Sequence, residues 1–160
     1  MNDPGHDEAR AIAERYARRD VGDRYHPLRP EIWQARHDRE RALISLLRRH
    51  VRSSLAALDV LEVGCGHGDN LLELLRLGFD PARLVGNELL PERAAAARHR
   101  LPAATRLLEG DATQLALPDG GFDIVYVSTV FSSILDAGFQ QQLAAAMWRW
   151  VRPGGAVLWY

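Results

Sequence analysis

Between Leu58 and Leu75 the chain reads LDVLEVGCGHGDNLLELL: an apolar run, three glycines at alternate positions, then a leucine-rich stretch. A short run without polar alternation is a strand buried on both faces, and the periodic stretch beyond the glycines is a helix. The alternation continues to the last residue. RLVGNE is a second apolar run, followed by the helical PERAAAARHRL with proline at its start. TRLLEGD is a third strand candidate, LPDGG a turn and FDIVYVS a fourth strand. FQQQLAAAMWRWV is helical, with Phe139, Leu143, Met147 and Trp150 on one side. RPGG then turns the chain into AVLWY, the fifth strand. Strands alternating with helices across short turns predict an α/β fold with a mostly parallel sheet covered on both faces.

The first third is different. Asp3-Pro4 opens a helix running to about Arg19, with Ile12 and Tyr16 one turn apart. A second helix starts near Pro30-Glu31 and carries an apolar face of Ile32, Ala35, Ala42, Leu43, Leu46, Leu47 and Val51. The intervening DVGDRYHPLRP is a loop with two prolines. The expected organisation is a helical arm over residues 1–55 and a sheet core over 56–160. At 160 residues and 47% hydrophobic, the chain has material for one packed domain. One cysteine excludes an internal disulfide, and the polar N-terminus lacks a secretory apolar segment, so a cytoplasmic location is expected. A net charge of −1 gives no footprint for nucleic acid, and no apolar run is long enough to span a bilayer. Every basic residue is arginine, with an excess over acids in the first 52 residues. That excess reads first as a solvated helix surface, and otherwise as an arm that meets an anionic substrate.

In open parallel sheets the ligand lies beyond the carboxyl ends of the strands. Three acids sit there: Glu62 near the first strand end, Glu88 at the second and Asp111 just after the third. The loop Gly64-Cys65-Gly66-His67-Gly68 lies beside them. Its G-x-G-x-G spacing departs from the G-x-G-x-x-G of dinucleotide folds, and no G-K-[ST] follows. Asp69 at the helix start would repel a phosphate. The pattern suits a ligand with a cationic amine and no phosphate.

LEVGCGHGDN resembles motif I of class I S-adenosylmethionine (SAM)-dependent methyltransferases. LVGNELLPERAAAAR resembles their second-strand motif, LLEGDATQLALPDGGFDIVYVSTVF their third- and fourth-strand motifs, and MWRWVRPGGAVLWY the turn into strand five. The likeness covers about Asp59 to Tyr160 in the family's order. It implies a doubly wound Rossmann-like sheet of order 3-2-1-4-5. It also implies SAM as cofactor, with S-adenosylhomocysteine as product. Glu88 would take the ribose hydroxyls, with Leu89 beside it. Asp111 would take the adenine amine, and the Ala112 N–H a ring nitrogen. Gly64, Cys65, Gly66, His67 and Gly68 would follow the methionine portion, Glu62 would support the ammonium or brace the loop, and Ser128 and Thr129 would close the other side. Cys65 reads as a small loop residue, and His67 as either a contact or merely exposed. Tyr25, beside Arg24, is the lid candidate, while Tyr16 reads as packing. Trp148, Trp150 and Trp159 are expected in the core.

The implied reaction is in-line methyl transfer, in which the protein positions the nucleophile and excludes water. Strand four ends in Ser128-Thr129-Val130-Phe131. This differs from the [DN]-P-P-[FYW] of enzymes that methylate base amines or glutamine amides. It also lacks the carboxylate a catechol-type metal site needs. A metal-independent enzyme acting on a small molecule, with a hydroxyl as first acceptor, is the expectation. Asp136, His26 and His37 are the candidate bases. The family's antiparallel strand pair is absent after strand five, which leaves AVLWY as an apolar edge. That edge suggests a fragment of a longer enzyme, or pairing with a second copy or partner. The alternative function is a methyltransferase-like module that binds SAM or a partner without catalysis. A nicotinamide-dependent oxidoreductase is disfavoured by the loop spacing.

Overall fold

The computed structural model describes residues 4–19, 22, 26 and 28–160. Five helices and five strands are found among them: α1 Pro4–Ala17, α2 Pro30–His50, β1 Val60–Val63, α3 Asp69–Leu77, β2 Leu84–Glu88, α4 Pro91–Arg100, β3 Arg106–Glu109, β4 Phe122–Val127, α5 Ala137–Trp150 and β5 Val151–Trp159. The sheet order is β3-β2-β1-β4-β5 and every pairing is parallel. This is the expected Rossmann-like order, with β1 at the centre.

β1 is buried at all four positions, and alternate side chains enter different cores. Leu61 and Val63 join Val125, Val127, Phe139, Leu143, Met147 and Trp150 beneath α5, with Ile12 of α1. Val60 joins Leu43, Leu47, Leu71, Leu74 and Ala97 beneath α2, α3 and α4. Two cores on two faces account for the unbroken apolar strands. α2 starts with Pro30 and ends in Arg48, Arg49 and His50, matching the helix dipole. α3 ends at Gly78 in the left-handed conformation, and the Phe79 N–H closes onto the Leu74 carbonyl.

Two expectations are corrected. β5 begins at Val151, five residues before AVLWY. Phe122 pairs with Val151 and Ile124 with Ala156, so Arg152 to Gly155 bulge out against a single residue of β4. Of the three tryptophans expected in the core, Trp150 is fully buried, but Trp148 is 72% and Trp159 64% exposed. Trp148 lies off the apolar face of α5 defined by Leu143, Met147 and Trp150. Trp159 closes the outermost strand and stacks on Phe131 at 4.3 Å.

Candidate active site

The strand ends and the glycine loop open onto one cavity of about 490 Å³, roofed by α1 and α2. That volume suits a small ligand. Its floor starts at β1. The chain leaves the strand through Gly64, whose φ of +69° is left-handed. A Cβ there would also collide with Val130 Cγ2, so space as well as conformation favours glycine. Gly66 and Gly68 also have left-handed φ, 57° and 84°. Asp69 then starts α3, and Arg100 pairs with it at 2.6 Å.

Glu88 holds this loop to the end of β2. Its Oε2 accepts from the Gly66 N–H at 2.7 Å and its Oε1 from the Leu90 N–H at 3.0 Å. The carboxylate is thus fixed at the cavity wall with acceptor capacity to spare. Asp111 accepts from the N–H and hydroxyl of Thr113 through Oδ1, while its buried Oδ2 has no partner. An unpaired buried carboxylate oxygen on a cavity wall is an acceptor awaiting a donor. Thr129 is the only non-glycine residue with left-handed φ among the described residues (59°), held by Thr129 N–H to Tyr160 O at 2.9 Å. Strain of this kind gathers at ligand sites.

Of the residues expected to hold cofactor, Gly64, Cys65, Gly66, His67, Glu88, Leu89, Asp111, Ala112, Ser128 and Thr129 all line this one cavity. Gly68 and Glu62 do not. Glu62 is fully buried, and its Oε1 takes a 2.6 Å bond from Asn70 Nδ2 in the first turn of α3. Its Oε2 is buried and has no hydrogen-bond partner. Burial raises its pKa to about 7, against a lowering by Asn70. Burial also pushes the Cys65 thiol up, which leaves it unreactive. Tyr25 and Arg24 lie outside the described residues. The candidate bases are not brought to the cavity. Asp136 caps α5, accepting from the Phe139 N–H at 2.6 Å. His37 Nδ1 lies 2.7 Å from the Trp33 carbonyl, and His26 is an exposed turn residue.

The roof supplies residues that sequence reasoning passed over. Tyr16 of α1 lines the cavity, its hydroxyl 2.9 Å from Ser133 Oγ. Arg93 of α4 lies over its ring at 4.3 Å and Arg19 at 4.9 Å. A clasp backs this contact. Glu8 accepts from Arg15 at 2.7 Å and from the Leu135 N–H at 2.8 Å, and Arg15 donates to the Ser133 carbonyl at 3.0 Å. Asn70, Arg39 and Val130 complete the wall. The signal for Tyr16 was its place beside Ile12 on the apolar face of the first helix. The signal for Arg39 was its spacing, four residues from both Ala35 and Leu43 on the apolar face of α2.

Two carboxylates and a glycine backbone thus face one cavity, with Glu88 joining the two at Gly66. Comparison with known proteins agrees. Residues 60–155 match the family model described as a methyltransferase domain. The chain therefore belongs to the SAM-dependent methyltransferase family of class I, Rossmann-like fold. It is 35% identical over 102 residues to a demethylmenaquinone methyltransferase of Deinococcus radiodurans, covering 62% of this chain and 41% of that protein. It is 35% identical over 125 residues to a phthiotriol/phenolphthiotriol dimycocerosates methyltransferase of Mycobacterium tuberculosis, covering 76% and 44%. The SAM-bound structure of CalS10, an amino pentose methyltransferase from Micromonospora echinaspora, superposes with a TM-score of 0.62 at 30% identity, covering 77% of this chain and 49% of that one. The chain thus spans less than half the length of these curated relatives. The cofactor of the family is SAM. No helix among the described residues is long and apolar enough to cross a membrane.

Proposed function

We propose that this chain forms the cofactor-binding part of an enzyme that moves a methyl group from SAM to a small lipophilic acceptor, with a hydroxyl as the first nucleophile to test. The observation that carries the cofactor assignment is the buried, unpaired Oδ2 of Asp111 on the same cavity wall as Glu88. Asp111 Oδ2 would accept from the adenine amine, and Glu88 from both ribose hydroxyls through charge-assisted bonds. The Gly64–Gly68 backbone would follow the methionine arm. Bound SAM supplies a methyl group already activated by its sulfonium. The protein's own work is then to hold the acceptor in line and keep water out.

Residues 1–55 serve in this reading as a lid on the 56–160 core, closed by Tyr16, Ser133 and the Glu8–Arg15 clasp. The lipophilic acceptor is supported by the relatives, whose names specify a menaquinone and a dimycocerosate. Metal independence is supported by Ser128 and Thr129 at the end of β4, where hydroxyls stand in place of carboxylates. Pairing through the β5 edge is supported by the exposed Trp159 at the end of that strand. A monodisperse monomer at high concentration in light scattering would count against that pairing.

Calorimetric titration with SAM, S-adenosylhomocysteine and NAD tests the cofactor. Binding of the first two and not the third is expected; NAD alone would overturn the reading. Transfer of label from methyl-labelled SAM to quinol, fatty-acid and sterol acceptors then tests the substrate class. Transfer only to water-soluble amines would reject it.

A further inference from the structure

A second cavity, of about 740 Å³, lies between α2 and β5. Its base is apolar: Leu43 and Leu47 of α2 and Ile124 and Tyr126 of β4 belong to the buried core beneath α2. Ala156 pairs with Ile124 and Leu158 with Tyr126, so β5 presents both to the same face of the sheet. Leu46 completes the lining and is still 39% exposed. Charged side chains stand at the two ends of the groove. Arg39 is at one, with His50 and Arg52 a helix length away at the other. Asp123, which also lines the groove, is paired with Arg152 at 3.0 Å. An open apolar groove of this size is a site for an apolar ligand.

The groove meets the cofactor cavity. Arg39 and Tyr160 line both, with the guanidinium 5.5 Å from the centre of the ring. The backbone of Tyr160 is fixed on both sides. Its N–H donates to the Val127 carbonyl at 3.0 Å and its carbonyl accepts from the Thr129 N–H at 2.9 Å. The junction thus adjoins the end of β4, where Ser128 and Thr129 line the cofactor cavity. From Arg39 to His50, α2 runs about 16 Å. That length suits an extended hydrocarbon chain. An extended polypeptide would bring backbone N–H and C=O groups that the apolar walls leave unpaired. A second copy adding a strand to β5 would lie in the plane of the sheet, whereas Ala156 and Leu158 point out of it. We infer that the groove between α2 and β5 holds the hydrocarbon tail of the methyl acceptor, with its head group at the Arg39–Tyr160 junction facing the cofactor cavity. This rests on the lipophilic-acceptor reading above and adds the place of the tail.

The probes are octanol, nonanol and decanol, titrated calorimetrically into the chain with and without S-adenosylhomocysteine. Each added methylene is expected to raise affinity about two- to fourfold. Leu46→Asp puts a charge in the groove wall, and Ala156→Trp fills the groove from an exposed strand position. Each should lower decanol affinity by at least about tenfold. Affinity for S-adenosylhomocysteine should stay within about twofold, because neither residue lines the cofactor cavity. Absence of alkanol binding, affinity independent of chain length, or decanol affinity unchanged in both variants would overturn the inference. So would a dimer in light scattering whose groove excludes decanol, since a second copy would then occupy the place of the tail. Methyl transfer to quinol or sterol acceptors at a KM that both variants leave unchanged would sink this inference while the acceptor reading stands. Should Leu46→Asp not fold, the same selective loss is required of Ala156→Trp.

Discussion

The floor and the roof of the cavity are built in different ways. The floor is made of strand ends and the loops that leave them: Gly64 to Gly68, Glu88, Asp111 and Ser128-Thr129. Parallel pairing in register brings them together, with Val63 beside Asn87 and Val127. The roof comes from α1 and α2, which precede the sheet in sequence and reach the site by side-chain packing. Tyr16 meets Ser133 across 117 positions, and Glu8 meets the Leu135 N–H across 127. The floor is held by a hydrogen-bonded sheet, whereas the roof is held by side chains, the buried Ile12, Leu43 and Leu47 and a few polar bonds, and so opens at lower cost.

The largest expected effect tests the floor's support. Glu62 titrates near 7 when folded, against an ordinary value of 4.5. Below 4.5 both folded and unfolded chains are protonated, and the group makes no difference. As pH rises from 4.5 to 7 the unfolded chain ionises first, so this group's contribution to stability falls by something on the order of 3 kcal/mol. Glu62→Gln should flatten the pH dependence of urea unfolding across that window and raise stability at neutral pH. An unchanged pH profile would show that Glu62 does not hold its proton.

Next in size, Glu88→Ala removes a carboxylate that secures the Gly66 and Leu90 N–H groups. Affinity for S-adenosylhomocysteine should fall at least ~100-fold, with ~1–3 kcal/mol of stability lost as the buried donors go unpaired. Calorimetry and denaturant titration read the two effects separately. If affinity survives, the ribose assignment is lost.

The roof should respond more weakly. Tyr16→Phe removes one hydroxyl bond to Ser133, with an expected cost of about 1 kcal/mol. Its sharper signature is faster proteolysis within residues 1–55 relative to the core. Equal protection of both regions in the variant would erase the distinction between lid and floor. Smallest of all, Asp38→Ala removes an exposed pair with Arg41 on α2 and should shift unfolding by no more than about 0.5 kcal/mol. A larger shift would mean that the outer surface of the roof helix contributes more than its exposure implies.

The same division governs what could be read in advance. Glu88 and Asp111 were legible because one closes a strand and the other lies two residues past one, so position in the chain sets position at the cavity. Asn70 was not legible: its role depends on the buried Glu62 beneath it. Arg39 and Tyr16 were legible only in part. Helical spacing puts each on the apolar face of its helix, Arg39 one turn from Ala35 and Leu43 and Tyr16 one turn from Ile12, but the contacts each makes there come from residues far away in the chain. Asp136, read as a candidate base, carries the ordinary signature of a helix cap, and capping is its structural place.

Sequence by itself determined the alternation of buried strands and helices, the left-turning glycine loop and the acids at the strand ends. Strand periodicity and glycine conformation are local properties, and they survive without knowledge of the fold. Tertiary structure alone decided which tryptophan is buried, which oxygen of Asp111 lacks a partner, and how far Arg39 is withdrawn from water. Those outcomes depend on desolvation by residues far away in the chain, and no local pattern records that.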